Sequence, residues 1–125
     1  KVRLIAVENA LKSKHYPFSV RGSQECVELS LKAALRLVGI EPPKWHDVSI
    51  ILMKNKKKFP TWFQKLIEEF KTISRELERE RIPSMYGDED LGLPPSAIYT
   101  KFDAEKALKN AKKVFKACKK LVGLK

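Results

Sequence analysis

Apolar residues recur at helical spacing along most of the chain, and no run alternates apolar with polar residues as a half-buried strand does. Helical spacing places the apolar side chains on one face of an α-helix. We therefore predict an all-α protein, an up-and-down bundle of four main helices plus one short helix. The main helices are predicted over about Val2–Lys14, Pro17–Val38, Pro60–Ile82 and Asp103–Val122, and the short one over about His46–Met53.

Individual residues predict where these helices begin and end. Gly39 is a typical C-terminal stop, and Pro42-Pro43 prevent the helix from continuing. Pro83 is expected to end the helix that precedes it. Thr100 and Asp103 resemble a capping box at the start of the last helix, with Asp in place of the usual Glu.

The segment Ser84–Lys101 shows no helical period and is rich in turn-forming residues: Gly87, Gly92, Pro94 and Pro95. We predict a long loop before the last helix. Loops of this length are uncommon in compact domains and are often functional or ordered by a partner.

Small residues line one face of the helix predicted over Pro17–Val38, namely Ser23, Cys26, Ser30 and Ala33. Small side chains allow another helix to approach closely. Together with the long, highly charged helix that ends before Pro83, this face offers more surface than a single bundle can cover. We therefore predict a homodimer.

The composition fits one folded domain over residues 1–125, because a hydrophobic content of 43% excludes a disordered tail. Lys and Arg number 26 against 15 Asp and Glu, so the formal net charge is +11 and the isoelectric point is about 9.7. This balance favours an acidic partner such as RNA, DNA, a nucleotide or an acidic protein. A Lys-rich surface is also typical of heat-adapted proteins, and the scarcity of Asn and Gln favours a thermophilic source.

The sequence contains few patterns that would indicate membrane insertion, secretion or metal binding. No apolar run approaches the roughly 20 residues of a membrane helix, and Lys1–Leu11 is too charged for a secretory signal, so we expect a cytoplasmic protein. Cys26 and Cys118 lie in helical patterns and are predicted to be buried, reduced thiols. The chain has no Cys-x-x-Cys motif or Cys/His cluster, and we predict no metal and no cofactor.

Five groups of residues, taken in order and spacing, resemble a known family. Ser23–Arg36 follows a pattern like S-Q-x-x-x-E-x-x-x-K-A, and Gly39–Val48 follows one like G-x-x-P-P-x-x-H-D. Arg79–Arg81, Tyr86–Asp88 and Tyr99–Ala104 are similar to an archaeal and thermophilic branch of that family. Over most of its length the chain thus resembles HEPN (higher eukaryotes and prokaryotes nucleotide-binding) domains.

The resemblance implies a helical bundle that forms a homodimer and partners a nucleotidyltransferase, in some members as a toxin–antitoxin pair. Many members are metal-independent RNases, in which an Arg followed a few residues later by a His lies at the dimer cleft.

This chain departs from that RNase motif. His15 and His46 are its two histidines, and no Arg precedes either of them at the required spacing. The nearest counterpart is Arg81–Tyr86, where Tyr86 stands in place of the His. Metal-independent cleavage needs a base that takes the 2′-hydroxyl proton near neutral pH, and an ordinary tyrosine, with a pKa of about 10, does not. We therefore predict that the chain does not cleave RNA; an RNase with a non-standard site is an alternative.

The candidate nucleotide- or phosphate-binding residues are Arg75, Arg79, Arg81 and Tyr86. Arg75 and Arg79 are one helical turn apart, and Pro83 is expected to turn the chain so that Tyr86 folds back over the helix end. We predict a phosphate clamp with Tyr86 stacked on a base. The alternative is neutralisation of the arginines by nearby acids, namely Glu76, Glu78, Glu80 or the run Asp88–Asp90.

Lys32 is a further candidate phosphate ligand, and an ion pair with Glu28, four residues earlier, is the alternative. At His46-Asp47 we expect Asp47 to cap the short helix while His46 packs locally. A catalytic His–Asp pair is the alternative there, but the sequence places no nucleophile beside it.

Lysines are concentrated in Lys54–Lys58 and on one face of the last helix. They could form an electrostatic footprint for nucleic acid, or simply a solvated face. Because no aromatic residues are interleaved with them, we do not expect sequence-specific recognition.

These observations predict a non-nuclease HEPN-like module that binds nucleotide or RNA phosphate weakly and partners a nucleotidyltransferase. The alternative is a structural or antitoxin-like interaction module without a ligand.

Overall fold

The regular elements of the described chain are helical. The computed structural model describes residues 2–42, 44, 47–88 and 90–123. Its helices are α1 (Val2–Lys12), α2 (Tyr16–Leu37), α3 (Val48–Lys54), a 3-10 turn (Lys56–Lys58), α4 (Thr61–Arg79), α5 (Arg81–Tyr86), α6 (Pro95–Ile98) and α7 (Lys101–Gly123). The predicted all-α bundle is confirmed. The predicted start of the short helix, His46, lies outside the described residues.

The core lies between α2, α4 and α7. In α2, Leu31 and Leu35 are fully buried, and α7 presents small residues such as Ala104 and Ala111 to the interior. In α4, Phe63 and Phe70 are fully buried with their rings edge to face, 5.9 Å between centroids. Large rings on α4 and small side chains on α7 let the layers interdigitate. α2 packs most extensively on α7 and next on α1.

The small-residue face of α2 is used within this chain. Ser23, Cys26 and Ser30 are buried, and the Ser23 hydroxyl donates a hydrogen bond to the Ser19 carbonyl at 2.8 Å. Ala33 is exposed. Three of the four residues of this face are therefore not available to a second chain, because they are buried within the bundle. The homodimer itself stays a prediction.

Two predicted helix caps are present. The backbone N–H of Ser49 donates to Asp47 Oδ1 at 2.8 Å, so Asp47 caps α3 as expected. The Thr100 N–H donates to Asp103 Oδ2 at 3.0 Å, and the Asp103 N–H donates to Thr100 Oγ1 at 3.2 Å. This reciprocal pair is the predicted capping box at the start of α7.

The helix predicted over Pro60–Ile82 ends earlier than expected. α4 stops at Arg79, Glu80 forms the break, and α5 begins at Arg81. Pro83 therefore does not end a helix but lies in the first turn of one. The physical reason is that the first N–H groups of a helix have no intrahelical acceptor, so a proline there removes no hydrogen bond.

The long loop predicted before α7 is also partly structured. Asp88 and Leu93 exchange two backbone hydrogen bonds of 2.9 Å, which close a tight turn, and α6 follows it. Gly87 enters this turn at a φ of +77°, and a Cβ there would lie 2.1 Å from the Leu93 carbonyl oxygen. Only glycine fits that backbone without rebuilding the turn. The segment lacks a helical period because its elements are too short to show one.

Candidate phosphate-binding site

Arg75 is held by a residue far away in the sequence. Its Nε lies 3.8 Å from Oδ2 of Asp47, the residue that caps α3. The acids predicted to neutralise the arginines were their sequence neighbours, so that alternative named the wrong partner for Arg75. Both side chains are well exposed, so the attraction is modest. The pair ties α3 to the second half of α4.

Arg79, the last residue of α4, is exposed and makes no ion pair with any residue in the described ranges. It lines a groove of about 410 Å³ between the end of α4 and the start of α7. Lys106 and Asn110 line the same groove from α7, and its apolar wall consists of Val20, Leu77, Ile98 and Ala107. The groove therefore brings hydrogen-bond donors together over an apolar surface.

Three carboxylates also line the groove, and two of them are already engaged. Glu80 Oε2 accepts a hydrogen bond of 2.5 Å from the Tyr99 hydroxyl, and Asp103 belongs to the capping box. Glu76 has no partner of this kind among the described residues. Burial, reinforced by the hydrogen bond to Glu80, raises the pKa of Tyr99 above that of an ordinary tyrosine.

Arg81 and Tyr86 occupy the two ends of α5. Five positions on a helix at about 100° per residue place their side chains roughly 140° apart, so they face different sides. Both are exposed, Tyr86 at 63%, and neither lines the groove at Arg79. Of the four predicted clamp residues, Arg79 is the one that lines this groove, and a shared phosphate clamp of Arg75, Arg79, Arg81 and Tyr86 stays a prediction.

Lys32 makes the ion pair that the sequence offered as its alternative role. Its Nζ lies 3.5 Å from Glu28 Oε1, one turn earlier on α2, and both side chains are about 70% buried. A role for Lys32 in phosphate binding stays a prediction.

Comparison with known proteins identifies the family. A model of the HEPN domain matches residues 1–121. The chain belongs to the HEPN domain family. A protein of Methanocaldococcus jannaschii named "Putative toxin MJ1304" is 36% identical over 115 residues, which cover 87% of this chain and 74% of that protein. No solved structure matches the chain.

Three residues of the groove in this HEPN domain were missed by the sequence analysis: Tyr99, Lys106 and Asn110. Lys106 was included among the lysines on one face of the last helix, for which an electrostatic footprint and a solvated face were both left open. A signal was present, because Asp103, Lys106 and Asn110 follow one another at spacings of three and four and therefore share a face. In the structure this shared face lines the groove at the end of α4.

Two further findings concern the part of the HEPN chain that the structure describes. There, no three His, Cys, Asp or Glu side chains are grouped so that they could hold a metal ion. None of its helices is both long and apolar enough to span a bilayer.

Proposed function

We propose that this HEPN domain is the toxin-like member of a toxin–antitoxin-type pair and that it binds the phosphate of a nucleotide or RNA weakly. Its partner is a nucleotidyltransferase-domain protein, and it does not cleave RNA. The observation that carries the proposal is the Arg79 guanidinium, which has no ion pair among the described residues and lines a groove beside Lys106 and Asn110. The name of the 36% identical relative supports the toxin assignment.

The groove suits a phosphate attached to an apolar or aromatic group. The planar donors of Arg79 engage two phosphate oxygens at once, and Lys106 adds a point charge. Two features oppose binding: the Glu76 carboxylate, which has no ion pair within the described part of the chain, and the negative end of the α4 dipole at Arg79. Weak, salt-sensitive affinity is the expected balance of these features.

The absence of a suitable base supports binding without cleavage. Tyr86 stands where RNases of the family carry a histidine, and His15 is exposed at the start of α2 with no side-chain cap bond. His46, the second histidine, lies outside the described residues. RNA incubated with the protein and a chelator should remain intact, whereas cleavage lost on Arg81→Ala would support the RNase alternative instead.

The homodimer belongs to the proposal, on a different surface from the one first considered. Ile82, Met85 and Tyr86 form an i, i+3, i+4 apolar face on α5, and all three are exposed. A solvent-exposed apolar face on a short helix favours contact with another chain. This face lies next to Arg81, so a second subunit would add to the positive surface there.

The test is titration of labelled RNA and of ATP with the parent, Arg79→Ala and Arg36→Ala. Arg36 is an exposed arginine paired with Glu41 away from the groove, so its variant matches the loss of charge. We expect about tenfold weaker binding for Arg79→Ala, because charge-assisted hydrogen bonds contribute roughly 1.5–3 kcal/mol, and parental binding for Arg36→Ala. Equal, measurable affinity of all three proteins would place phosphate binding outside the groove, and no binding by any of them would favour the interaction module without a ligand.

The toxin–antitoxin assignment has its own test. Expression of the chain should slow the growth of a host, and co-expression of a nucleotidyltransferase-domain protein from the same genome should restore it. Co-elution of the two proteins in size-exclusion chromatography checks the partnership directly. Growth arrest without rescue would retain the toxin assignment and overturn the partner.

A further inference from the structure

Four lysines lie within the five residues that end α3 and form the 3-10 turn: Lys54, Lys56, Lys57 and Lys58. We call the segment Lys54–Lys58 the basic turn. None of its lysines makes an ion pair with a residue in the described part of the chain. The turn therefore concentrates positive charge that no acidic side chain of the described residues pairs with.

Three lysines of α7 contact other residues of the chain. Lys112 lies 3.0 Å from Glu8, and Lys113 lies 2.6 Å from Glu69. The ammonium of Lys120 lies 4.4 Å from the centre of the Trp62 ring, a cation–π contact. These three lysines of α7 have partners within the fold, whereas the four lysines of the basic turn have no ion pair among the described residues.

The backbone of the basic turn is fixed at both ends. The side-chain amide of Asn55 donates to the Ile51 backbone carbonyl at 2.8 Å, and the side-chain amide of Gln64 donates to the Phe59 backbone carbonyl at 2.7 Å. Phe59 is buried and stacks on Phe63 at 4.8 Å between ring centres. The lysines thus extend from an ordered support, which reduces the entropy lost when a ligand orders them.

A concavity of about 320 Å³ is lined by Met53–Lys58 alone, without a carboxylate or an aromatic ring. The groove at Arg79, in contrast, contains three carboxylates. We propose that the basic turn binds the phosphodiester backbone of a nucleic acid without recognising its bases. Lysines act as point charges that suit a row of phosphates, and without aromatic rings there is no platform on which bases stack. This surface shares no lining residue with the Arg79 groove, and the proposal goes beyond the proposed function because it assigns a second, separate binding surface.

The experiment compares two variants with equal loss of charge. One carries Lys56→Gln, Lys57→Gln and Lys58→Gln. The control carries Lys109→Gln, Lys116→Gln and Lys119→Gln, which replaces three exposed lysines of α7 that have no ion pair in the described chain. Fluorescence anisotropy of labelled single-stranded oligouridylate is measured at about 50 and about 200 mM salt.

We expect the slope of log affinity against log salt to become shallower by about 2 in the basic-turn variant, at about 0.7 for each of three lost phosphate contacts. The α7 control should keep the parental slope. Oligothymidylate should give the same result as oligouridylate, because the phosphodiester chemistry is shared. If the triple variant unfolds on thermal melting, the double variant of the exposed Lys57 and Lys58 replaces it, with an expected change of about 1.4.

Three results would overturn the assignment. An equal change of slope in the α7 control would mean that net charge alone governs binding. Equal, turn-dependent binding of a polyglutamate peptide of matched charge would identify an acidic protein surface as the ligand instead. Parental RNA affinity in the basic-turn variant would exclude the turn from binding.

Discussion

The hydroxyl of Tyr99 donates a 2.5 Å hydrogen bond to the carboxylate of Glu80, and this contact joins the segment before α7 to the break between α4 and α5. The same hydroxyl lies 3.4 Å from the Glu80 backbone carbonyl. One side chain thus holds the two elements that form the Arg79 groove at a fixed separation. The structured segment before α7 serves this positioning.

Replacing Tyr99 with Phe should destabilise the fold by about 1 kcal/mol and change its response to alkali. The folded state raises the pKa of Tyr99, so its stabilising effect is fully present below the unfolded pKa of about 10 and is lost as the pH rises further. Urea unfolding at about pH 7 and about pH 10.5 should therefore show that the free energy of unfolding falls less with pH in the Phe variant than in the parent. If the free energy of unfolding falls equally in both proteins, a titratable group other than Tyr99 is responsible.

Removing the capping box should destabilise α7. Thr100→Ala deletes the acceptor for the Asp103 N–H and is expected to cost about 1 kcal/mol of unfolding free energy. Thr61→Ala is the matched control, because Thr61 begins α4 without a side-chain cap bond. Its effect should stay within about 0.5 kcal/mol. Similar losses in both variants on chemical denaturation would contradict the role of the cap.

Both cysteines should resist alkylation in the native protein. Burial, with a smaller contribution from nearby Cys26, raises the pKa of the Cys118 thiol to about 12, and burial also raises the pKa of Cys26. Because the thiolate is the reactive form, iodoacetamide at about pH 8 should leave both unmodified over the period in which a denatured sample reacts fully. Mass spectrometry gives the number of alkylated cysteines. Rapid modification of either thiol in the native protein would show that α2 and α7 separate locally.

A charge on the apolar face of α5 should abolish the proposed dimer. Light scattering of the parent should give about twice 14.4 kDa, and Met85→Glu should give the monomer mass. Ile5→Glu, which places the same charge on another exposed apolar residue, should remain dimeric. A monomeric parent would remove the dimer from the proposal, and a dimeric Met85→Glu variant would place the interface elsewhere.

The sequence was sufficient to predict contacts between residues that are close along the chain. It did not predict contacts between residues that are distant along the chain. The Thr100 and Asp103 cap and the Glu28–Lys32 pair involve residues three and four positions apart, so their spacing alone was sufficient. The partner of Arg75 is 28 positions away, since Asp47 reaches it only after α3 and α4 have packed. Spacing along the chain carries no information about such a contact.

The missed break at Glu80 has a different cause. Proline prevents a helix from continuing but is accepted in the first turn of a new one, so Pro83 alone does not distinguish the two outcomes. The Arg79 groove was missed for the same reason. With α4 extended to Ile82, Arg79 lies inside a helix rather than at its end beside α7.

Helix α4 separates the two proposed phosphate contacts by a distance that the protein fixes. The basic turn lies just before its first residue, Thr61, and Arg79 is its last, so 18 steps of 1.5 Å place them about 27 Å apart. A mononucleotide cannot reach both. A strand that rises about 3.4 Å per nucleotide along a helical axis spans that distance with roughly eight nucleotides. Where both contacts hold phosphate, oligonucleotides longer than this threshold should bind far more tightly than shorter ones, because the second contact becomes intramolecular.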